Sequence, residues 1–99
     1  MSDRHEELLR TVRVLIHGRV QGVWYRDWTK RTALELGLSG WVRNRLDHSV
    51  EALFSGPSEQ VEEMLTRCHD GSPMSHVEAV EVMEQGGEAP LGFEILTTA

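Results

Sequence analysis

A short segment rich in glycine and closed by an arginine is the part of the chain best suited to chemistry. It runs from Gly18 to Arg26 and reads Gly-Arg-Val-Gln-Gly-Val-Trp-Tyr-Arg. Because glycine adopts backbone conformations barred to residues with a Cβ, several peptide N–H groups here can turn towards one anion. A helix beginning at the end of the segment would add unpaired N–H groups and the positive end of its dipole. The pattern therefore predicts a site for a phosphate group.

Arg26 is the first candidate side chain. Taken alone, an arginine in a first helical turn is most simply a solvated charge, and it opposes the helix dipole by roughly 0.3–1 kcal/mol. An anion held between the guanidinium and the helix would make the position of the arginine favourable, because the anion attracts both positive charges. Arginine also presents a planar fork of donors that engages two phosphate oxygens at once. The glycine-containing segment before it therefore favours anion binding by Arg26.

Charge is distributed unevenly along the chain of 99 residues. The formal net charge is −6, yet residues 10–45 carry eight basic and two acidic residues, a net +6. Residues 46–99 carry one basic and eleven acidic residues, a net −10. The anion segment lies in the basic part of an acidic chain, which predicts a focused positive pocket and not the broad basic face that nucleic acids bind.

Composition indicates one globular domain, with 39% hydrophobic and 26% charged residues. We expect residues 1–9 to form a flexible leader and residues 10–99 to form the domain. The lone Cys68 fits a reducing compartment, and no apolar stretch approaches the ~18 residues of a membrane span. A cytoplasmic monomer is therefore expected. The five histidines show no ligand-like spacing, so no metal is expected either.

Hydrophobic periodicity predicts the elements that position the anion segment. Helices are expected at 25–36 and 58–70, and strands at 11–17, 38–44, 50–55 and 77–83, with a short fifth strand at 93–96. The alternation changes phase around Ala79 and Val80, which predicts a β-bulge there. The order βαββαβ is the ferredoxin-like split βαβ arrangement of the α+β class, an antiparallel sheet with two helices packed on one face.

Two segments resemble the acylphosphatase family. The first is Gly18 to Arg26, and the second begins at Gly37, ends at Asn44 and reads Gly-Leu-Ser-Gly-Trp-Val-Arg-Asn. The two motifs stand in the family's order and spacing, and the similarity continues through the second predicted helix to residues 93–95, so it covers nearly everything after Leu9. The family's βαββαβ fold agrees with the elements above.

The resemblance implies a hydrolase of the carboxyl–phosphate bond in small acyl phosphates that uses no metal or cofactor. Arg26 takes the place of the family's phosphate-binding arginine, and Asn44 takes the place of the asparagine that orients the attacking water. A carboxamide can both donate to and accept from a water without becoming charged. The resemblance also implies that the phosphoryl oxygens are held by backbone N–H groups of Arg19, Val20, Gln21, Gly22, Val23, Trp24 and Tyr25.

Other interpretations remain open at this point. Asn44 alone would be read as a turn-former at a strand end. A non-catalytic module that senses a phosphorylated metabolite would need the anion segment but not Asn44, so both together favour the enzyme. A nucleic-acid-binding split βαβ domain lacks support from an RNA-binding aromatic signature.

The chain departs from the family pattern at Asp47-His48, where Asp-Gly is common, and histidine accepts a positive φ less readily than glycine.

Overall fold

The computed structural model describes residues 8–86 and 89–99. Seven elements follow in the predicted order: β1 (Leu9–Arg19), α1 (Tyr25–Glu35), β2 (Ser39–Asn44), β3 (Val50–Pro57), α2 (Ser58–Asp70), β4 (His76–Glu84) and β5 (Phe93–Ile95). Most of the predicted leader, residues 1–7, lies outside the described residues. Leu9 already belongs to β1, and the carbonyl of Leu8 accepts a hydrogen bond from the N–H of Ser58 at 2.8 Å.

The five strands form one sheet in the order β4-β1-β3-β2-β5. The four long strands pair antiparallel, as predicted. The short β5 pairs parallel with β2, with Gly40 opposite Phe93, so the complete sheet is mixed and the prediction of a purely antiparallel sheet needs this correction. The reason is topological, since β4 and β5 lie at opposite edges and the chain must cross the sheet between them. The predicted fold class is confirmed.

The two faces of the sheet differ in what covers them. On β1 the side chains of Val12, Val14 and Ile16 are fully buried, and their neighbours along the strand are half-exposed. The buried face packs against apolar residues of both helices, among them Tyr25 and Met64, in a single core cluster. Alternation with period two therefore places one face of the sheet beneath the helices, while the other face mixes charged residues such as Arg13 and Glu51 with the apolar Leu53.

The predicted bulge in β4 lies one residue earlier than the phase change suggested. His17 pairs with Ala79 while Gly18 pairs with Val77, so Glu78 is the extra residue. Gly18 has a φ of +124°, and a Cβ at that position would collide with the carbonyl oxygen of His76. A glycine on the facing strand therefore permits the close approach that the bulge requires.

The turn between β2 and β3 holds His48 in a backbone conformation that glycine adopts more readily. His48 has a φ of +76°, a left-handed conformation that is uncommon for residues other than glycine. The turn is closed by a hydrogen bond from the N–H of Arg45 to the carbonyl of Ser49 at 2.9 Å. A carboxylate oxygen of Asp47 accepts from the N–H of Ser49 at 3.0 Å and from its hydroxyl at 2.6 Å. These bonds hold the turn without the usual glycine.

Candidate functional site

The anion loop, residues 20–26, links β1 to α1 and takes its shape from alternating burial. Val20 and Val23 are buried in the core, while Gly22 and Trp24 point outwards between them. Gly22 and Trp24 both have left-handed backbones, with φ of +73° and +66°. Two left-handed residues two positions apart turn the backbone sharply into the helix, which is the geometry that exposes successive N–H groups.

The N–H groups of the anion loop are available to a ligand. Across residues 8–86 and 89–99, no hydrogen bond uses the amide N–H of Gln21, Gly22, Val23 or Trp24. The chain enters α1 directly afterwards, and its first intrahelical acceptor is the carbonyl of Trp24, which receives the N–H of Trp28 at 3.0 Å. The helix therefore adds its own unpaired first-turn N–H groups to those of the loop.

A pocket of about 350 Å³ opens beside the anion loop. Arg26 lines it, which places the predicted phosphate-binding arginine next to the free N–H groups. The other lining residues are Val20, Gly22, Trp24, Tyr25, Asp27 and Ile95. Three loop positions predicted from the sequence are not among the lining residues: Arg19 is exposed at the end of β1, Gln21 is half-buried and Val23 is buried.

Tyr25 anchors the start of α1 in the core. Its side chain is buried, and its hydroxyl donates to the carbonyl of Cys68 at 3.0 Å, which ties α1 to α2. Burial raises the pKa of the Tyr25 hydroxyl well above its ordinary value. Burial likewise raises the pKa of the Cys68 thiol to about 12. At neutral pH both groups are uncharged members of the core, and neither is a nucleophile.

Asn44 is the last residue of β2 and is not among the residues that line the pocket, but its carboxamide oxygen is an informative polar atom. This Oδ1 is buried and has no hydrogen-bond partner among the described residues. A buried acceptor without a partner is costly, about 1–3 kcal/mol, and is usually completed by a ligand or a water. The main chain of Asn44 is held firmly, since its carbonyl accepts from the N–H of Ala99 at 3.0 Å.

Gln21 joins the anion loop to the turn that follows Asn44. Its Nε2 donates to the carbonyl of Arg45 at 2.9 Å and to the carbonyl of Ser49 at 2.8 Å. Sequence reasoning assigned only the backbone of Gln21 to the site and missed this contact. A glutamine inside a glycine-rich loop was the available signal in the sequence, because its carboxamide needs polar partners wherever the fold buries it in part.

A second group that sequence reasoning missed lies on the face of the sheet opposite the helices. The carboxylate of Glu51 accepts from Arg13 at 2.6 Å, from Arg43 at 2.8 Å and from Arg45 at 3.1 Å. Burial disfavours the charged form of Glu51, yet these hydrogen bonds hold its pKa below the ordinary value. Arg43 and Arg45 flank Asn44 in sequence, so the cluster fixes the strand end that presents Asn44.

The described part of the chain lacks two features of other functional classes. Its His, Cys, Asp and Glu side chains form no group of three or more that could hold a metal ion. Neither of its helices combines the length and apolar composition needed to cross a membrane.

Comparison with known proteins places this fold and site in a family. The acylphosphatase family model matches residues 12–95. The chain is 50% identical over 92 residues to an acylphosphatase of Rhizorhabdus wittichii, covering 93% of this chain and 91% of that one. The crystal structure of acylphosphatase from Bacillus subtilis is 36% identical and has a TM-score of 0.85, covering 90% of this chain and 99% of that chain. The acylphosphatase structure from Coxiella burnetii is 27% identical with a TM-score of 0.87, covering 97% and 100% of the two chains.

The fold defines a split βαβ domain of the α+β class, and the relatives named above place it among hydrolases. The chain belongs to the acylphosphatase family. The resemblance seen in the two sequence motifs is thereby confirmed over nearly the whole described domain, and so is the predicted function at the level of the family.

Proposed function

We propose that this acylphosphatase hydrolyses small acyl phosphates with the anion loop and Arg26 as the phosphate site and Asn44 as the residue that orients water. The free N–H groups of residues 21–24 receive the phosphoryl oxygens, and the Arg26 guanidinium neutralises their charge. Donors preorganised for a phosphoryl group contribute most when charge shifts in the transition state. Loop N–H groups that have no partner among the described residues, with Gly22 and Trp24 lining the same pocket as Arg26, are the observation that carries the proposal.

The reaction needs little covalent work from the protein. The oxygen of a water attacks phosphorus, the bond from phosphorus to the carboxyl oxygen breaks, and its electron pair leaves with the carboxylate. The proton released by the water ends on the orthophosphate. Because the conjugate acid of the leaving carboxylate has a pKa near ~4, no proton donor is needed for departure. Alignment of water and phosphate is then the main contribution of the protein.

Asn44 suits the task of alignment. Its buried Oδ1 has no partner among the described residues and can accept a hydrogen bond from a water. The turn directly after it is bonded to Gln21 of the anion loop, so the carboxamide and the phosphate site are parts of one connected unit. A water that donates to Asn44 would be held beside a phosphate that the loop binds.

We further propose that the enzyme acts as a monomer in the cytoplasm without metal, cofactor or nucleic acid. The buried, protonated thiol of Cys68 fits a reducing compartment. The net charge of −6 supports a small-molecule substrate over a nucleic acid.

The test is steady-state hydrolysis of benzoyl phosphate with EDTA present throughout. The wild type should turn over, and Asn44→Ala should lose at least ~10²-fold in kcat, the scale of losing one positioning group. Competitive inhibition by orthophosphate should persist in Asn44→Ala, because the anion loop and Arg26 are unchanged. Gln60→Ala removes a half-buried carboxamide from α2 and serves as the matched control. Absence of turnover in the folded wild type, or near-normal kcat in Asn44→Ala, would contradict the proposal.

A further inference from the structure

The turn between α2 and β4, residues 71–75, contacts the anion loop through the side chain of Ser72. The hydroxyl of Ser72 donates to the carbonyl of Val23 at 3.3 Å, and both residues are buried. No backbone N–H bonds to this carbonyl within residues 8–86 and 89–99, so the hydroxyl is the donor that satisfies it there. Because a buried carbonyl without a donor is costly, the contact opposes rotation of the peptide unit that begins at Val23.

Ser72 is itself fixed by the turn to which it belongs. Its carbonyl accepts from the N–H of Ser75 at 3.0 Å and from the hydroxyl of Ser75 at 2.8 Å. The turn begins at Gly71, whose φ is +75° and where a Cβ would collide with the Ser75 hydroxyl. The Ser72 hydroxyl therefore approaches Val23 from a turn that has hydrogen bonds of its own.

The peptide unit between Val23 and Trp24 couples this buried contact to the exposed side of the anion loop. In a trans peptide, the carbonyl of one residue and the N–H of the next point in opposite directions. Since the Val23 carbonyl is turned towards Ser72 in the core, the Trp24 N–H faces away from the core. Trp24 is 76% exposed and lines the pocket with Arg26, and its N–H has no partner among the described residues. The Ser72 contact thus sets the direction of one donor of the anion loop.

This orientation is unfavourable for the backbone of Trp24. Its φ of +66° lies in the left-handed region, which residues with a Cβ avoid. Rotation of the peptide unit by half a turn would bring this φ into the negative range that most residues adopt. The same rotation would turn the Trp24 N–H inwards and the Val23 carbonyl outwards, where its oxygen would repel an anion. Local backbone preference therefore opposes the orientation that binds an anion.

We infer that Ser72 is a positioning residue of the phosphate site, whose hydroxyl holds the peptide between Val23 and Trp24 with its N–H directed at the anion. The inference rests on the proposed function and adds to it a residue outside the anion loop. Without the hydroxyl, the rotated peptide becomes populated and the fraction of molecules ready to bind phosphate falls. The apparent affinity for phosphate falls with that fraction, whereas molecules that have bound phosphate keep the original orientation.

Ser72→Ala tests this effect in steady-state hydrolysis of benzoyl phosphate. The KM for benzoyl phosphate and the inhibition constant of orthophosphate should both rise about fivefold, while kcat stays within about twofold of the wild type. Ser75→Ala is the matched control, because it removes a hydroxyl from the same turn while the Ser75 N–H still bonds to the Ser72 carbonyl. Both constants should stay within about twofold there. Unchanged constants in folded Ser72→Ala, or a loss confined to kcat, would overturn the inference.

Glycine at position 24 distinguishes peptide orientation from general loosening of the loop. Because glycine adopts positive φ about as readily as negative φ, Trp24→Gly removes the backbone preference for the rotated peptide. In the Trp24→Gly background, adding Ser72→Ala should raise the inhibition constant of orthophosphate by about twofold or less. A rise of about fivefold in both backgrounds would overturn the inference, since Ser72 would then act without regard to the orientation of this peptide.

The backbone amide resonance of Trp24 gives a test that needs no variant. In proton–nitrogen correlation spectra of the wild type, saturating orthophosphate should shift this resonance, while the amide of Glu63 on α2 should stay in place. An unshifted Trp24 amide beside shifted amides of Gln21, Gly22 or Val23 would overturn the inference and leave the proposed function intact. Failure of the proposed function looks different, because the wild type would neither hydrolyse benzoyl phosphate nor show a shift at any amide of the anion loop, and the inference would fall with it.

Discussion

The anion loop and the turn after β2 are joined by the hydrogen bonds of Gln21 but are constructed in opposite ways. The loop offers backbone N–H groups, whose positions depend on left-handed conformations at Gly22 and Trp24. The turn region offers one side chain, Asn44, whose Oδ1 is buried without a partner in the described part of the chain. In the proposed site, several loop donors would share the binding of an anion, whereas the single carboxamide has no substitute.

This difference predicts how substitutions will divide between binding and turnover. Backbone donors survive most side-chain changes, so the loop should tolerate them unless the left-handed positions or Arg26 are altered. In the proposed mechanism, the alignment of water depends on one carboxamide and on the contacts that hold β2 and its turn in place. Changes on the loop side should appear mainly in KM and phosphate affinity, and changes on the turn side mainly in kcat.

Arg26→Ala should have the largest effect on the loop side. We expect kcat/KM for benzoyl phosphate to fall by at least ~10²–10³-fold, with weaker inhibition by orthophosphate, because the side chain supplies the cation of the phosphate site. Arg26→Lys should recover only part of the loss, since an ammonium cannot engage two oxygens with a planar fork. Arg31→Ala, an exposed arginine on the same helix, is the control. Near-normal activity in Arg26→Ala would contradict the proposal that Arg26 supplies the cation of the phosphate site.

The sequence contains enough to predict the elements, and it marks the loop as the segment suited to bind an anion. The alternation in β1 and the apolar periodicity of α2 are strong local signals, and the glycines and arginine of the loop carry their chemistry in their residue types. The parallel pairing of β5 was not predictable from periodicity, because a strand of three residues does not reveal its direction. The bulge was misplaced by one residue, since its position depends on Gly18 of the facing strand.

Contacts distant in sequence were the part that local patterns did not reveal. Gln21 bonds to carbonyls 24 and 28 residues away, and no spacing rule links those positions. Arg13 lies 38 residues from Glu51, although Arg43 is its neighbour across the hairpin. Such partners are set by strand register, which becomes known only when the sheet is assembled.

Glu51→Gln tests whether the cluster of Glu51 and its arginine partners stabilises the end of β2 and the turn that follows it. The Glu51 side chain is 4% exposed and the three arginines are 29–36% exposed, so the ion pairs are screened only in part. Removing the carboxylate leaves three guanidinium groups close together without their shared counter-charge. We expect a loss of ~1–3 kcal/mol in the free energy of unfolding at neutral pH, measured by urea denaturation. Glu63→Gln, on the exposed side of α2, should change the free energy of unfolding far less.

The same variant predicts a pH dependence with a definite sign. The pKa of Glu51 is lowered in the folded state from its ordinary value of 4.5, so its contribution is fully present above that value. As the pH falls through the folded-state pKa, the carboxyl takes up a proton and comes to resemble glutamine. The stability gap between wild type and Glu51→Gln should therefore narrow as the pH falls below 4.5, the ordinary pKa of the carboxyl group. A gap of the same size at neutral and acidic pH would show that lost packing, not charge, explains the variant.

Gln21→Met should have the smallest effect on activity of the variants considered. It is the most direct test of the comparison between the loop and the turn, because the Gln21 side chain joins the two. Methionine matches the side chain in size but donates no hydrogen bond. The carbonyls of Arg45 and Ser49 each keep a backbone donor, at 3.1 Å and 2.9 Å, so the loss of stability should be only about 1 kcal/mol. If Gln21 positions the turn that follows Asn44, kcat should fall about tenfold while inhibition by orthophosphate stays within about twofold.

A double-mutant cycle separates positioning from general loosening of the structure. In an Asn44→Ala background the carboxamide that Gln21 positions is gone, so adding Gln21→Met should lower kcat no further. A loop that had simply become less ordered would lose a further factor of about ten and would also bind orthophosphate more weakly. Additive losses would therefore refute positioning through Asn44. Gln21→Asn, whose amide is one methylene shorter, should keep part of the effect on kcat if reach to the two carbonyls is what matters.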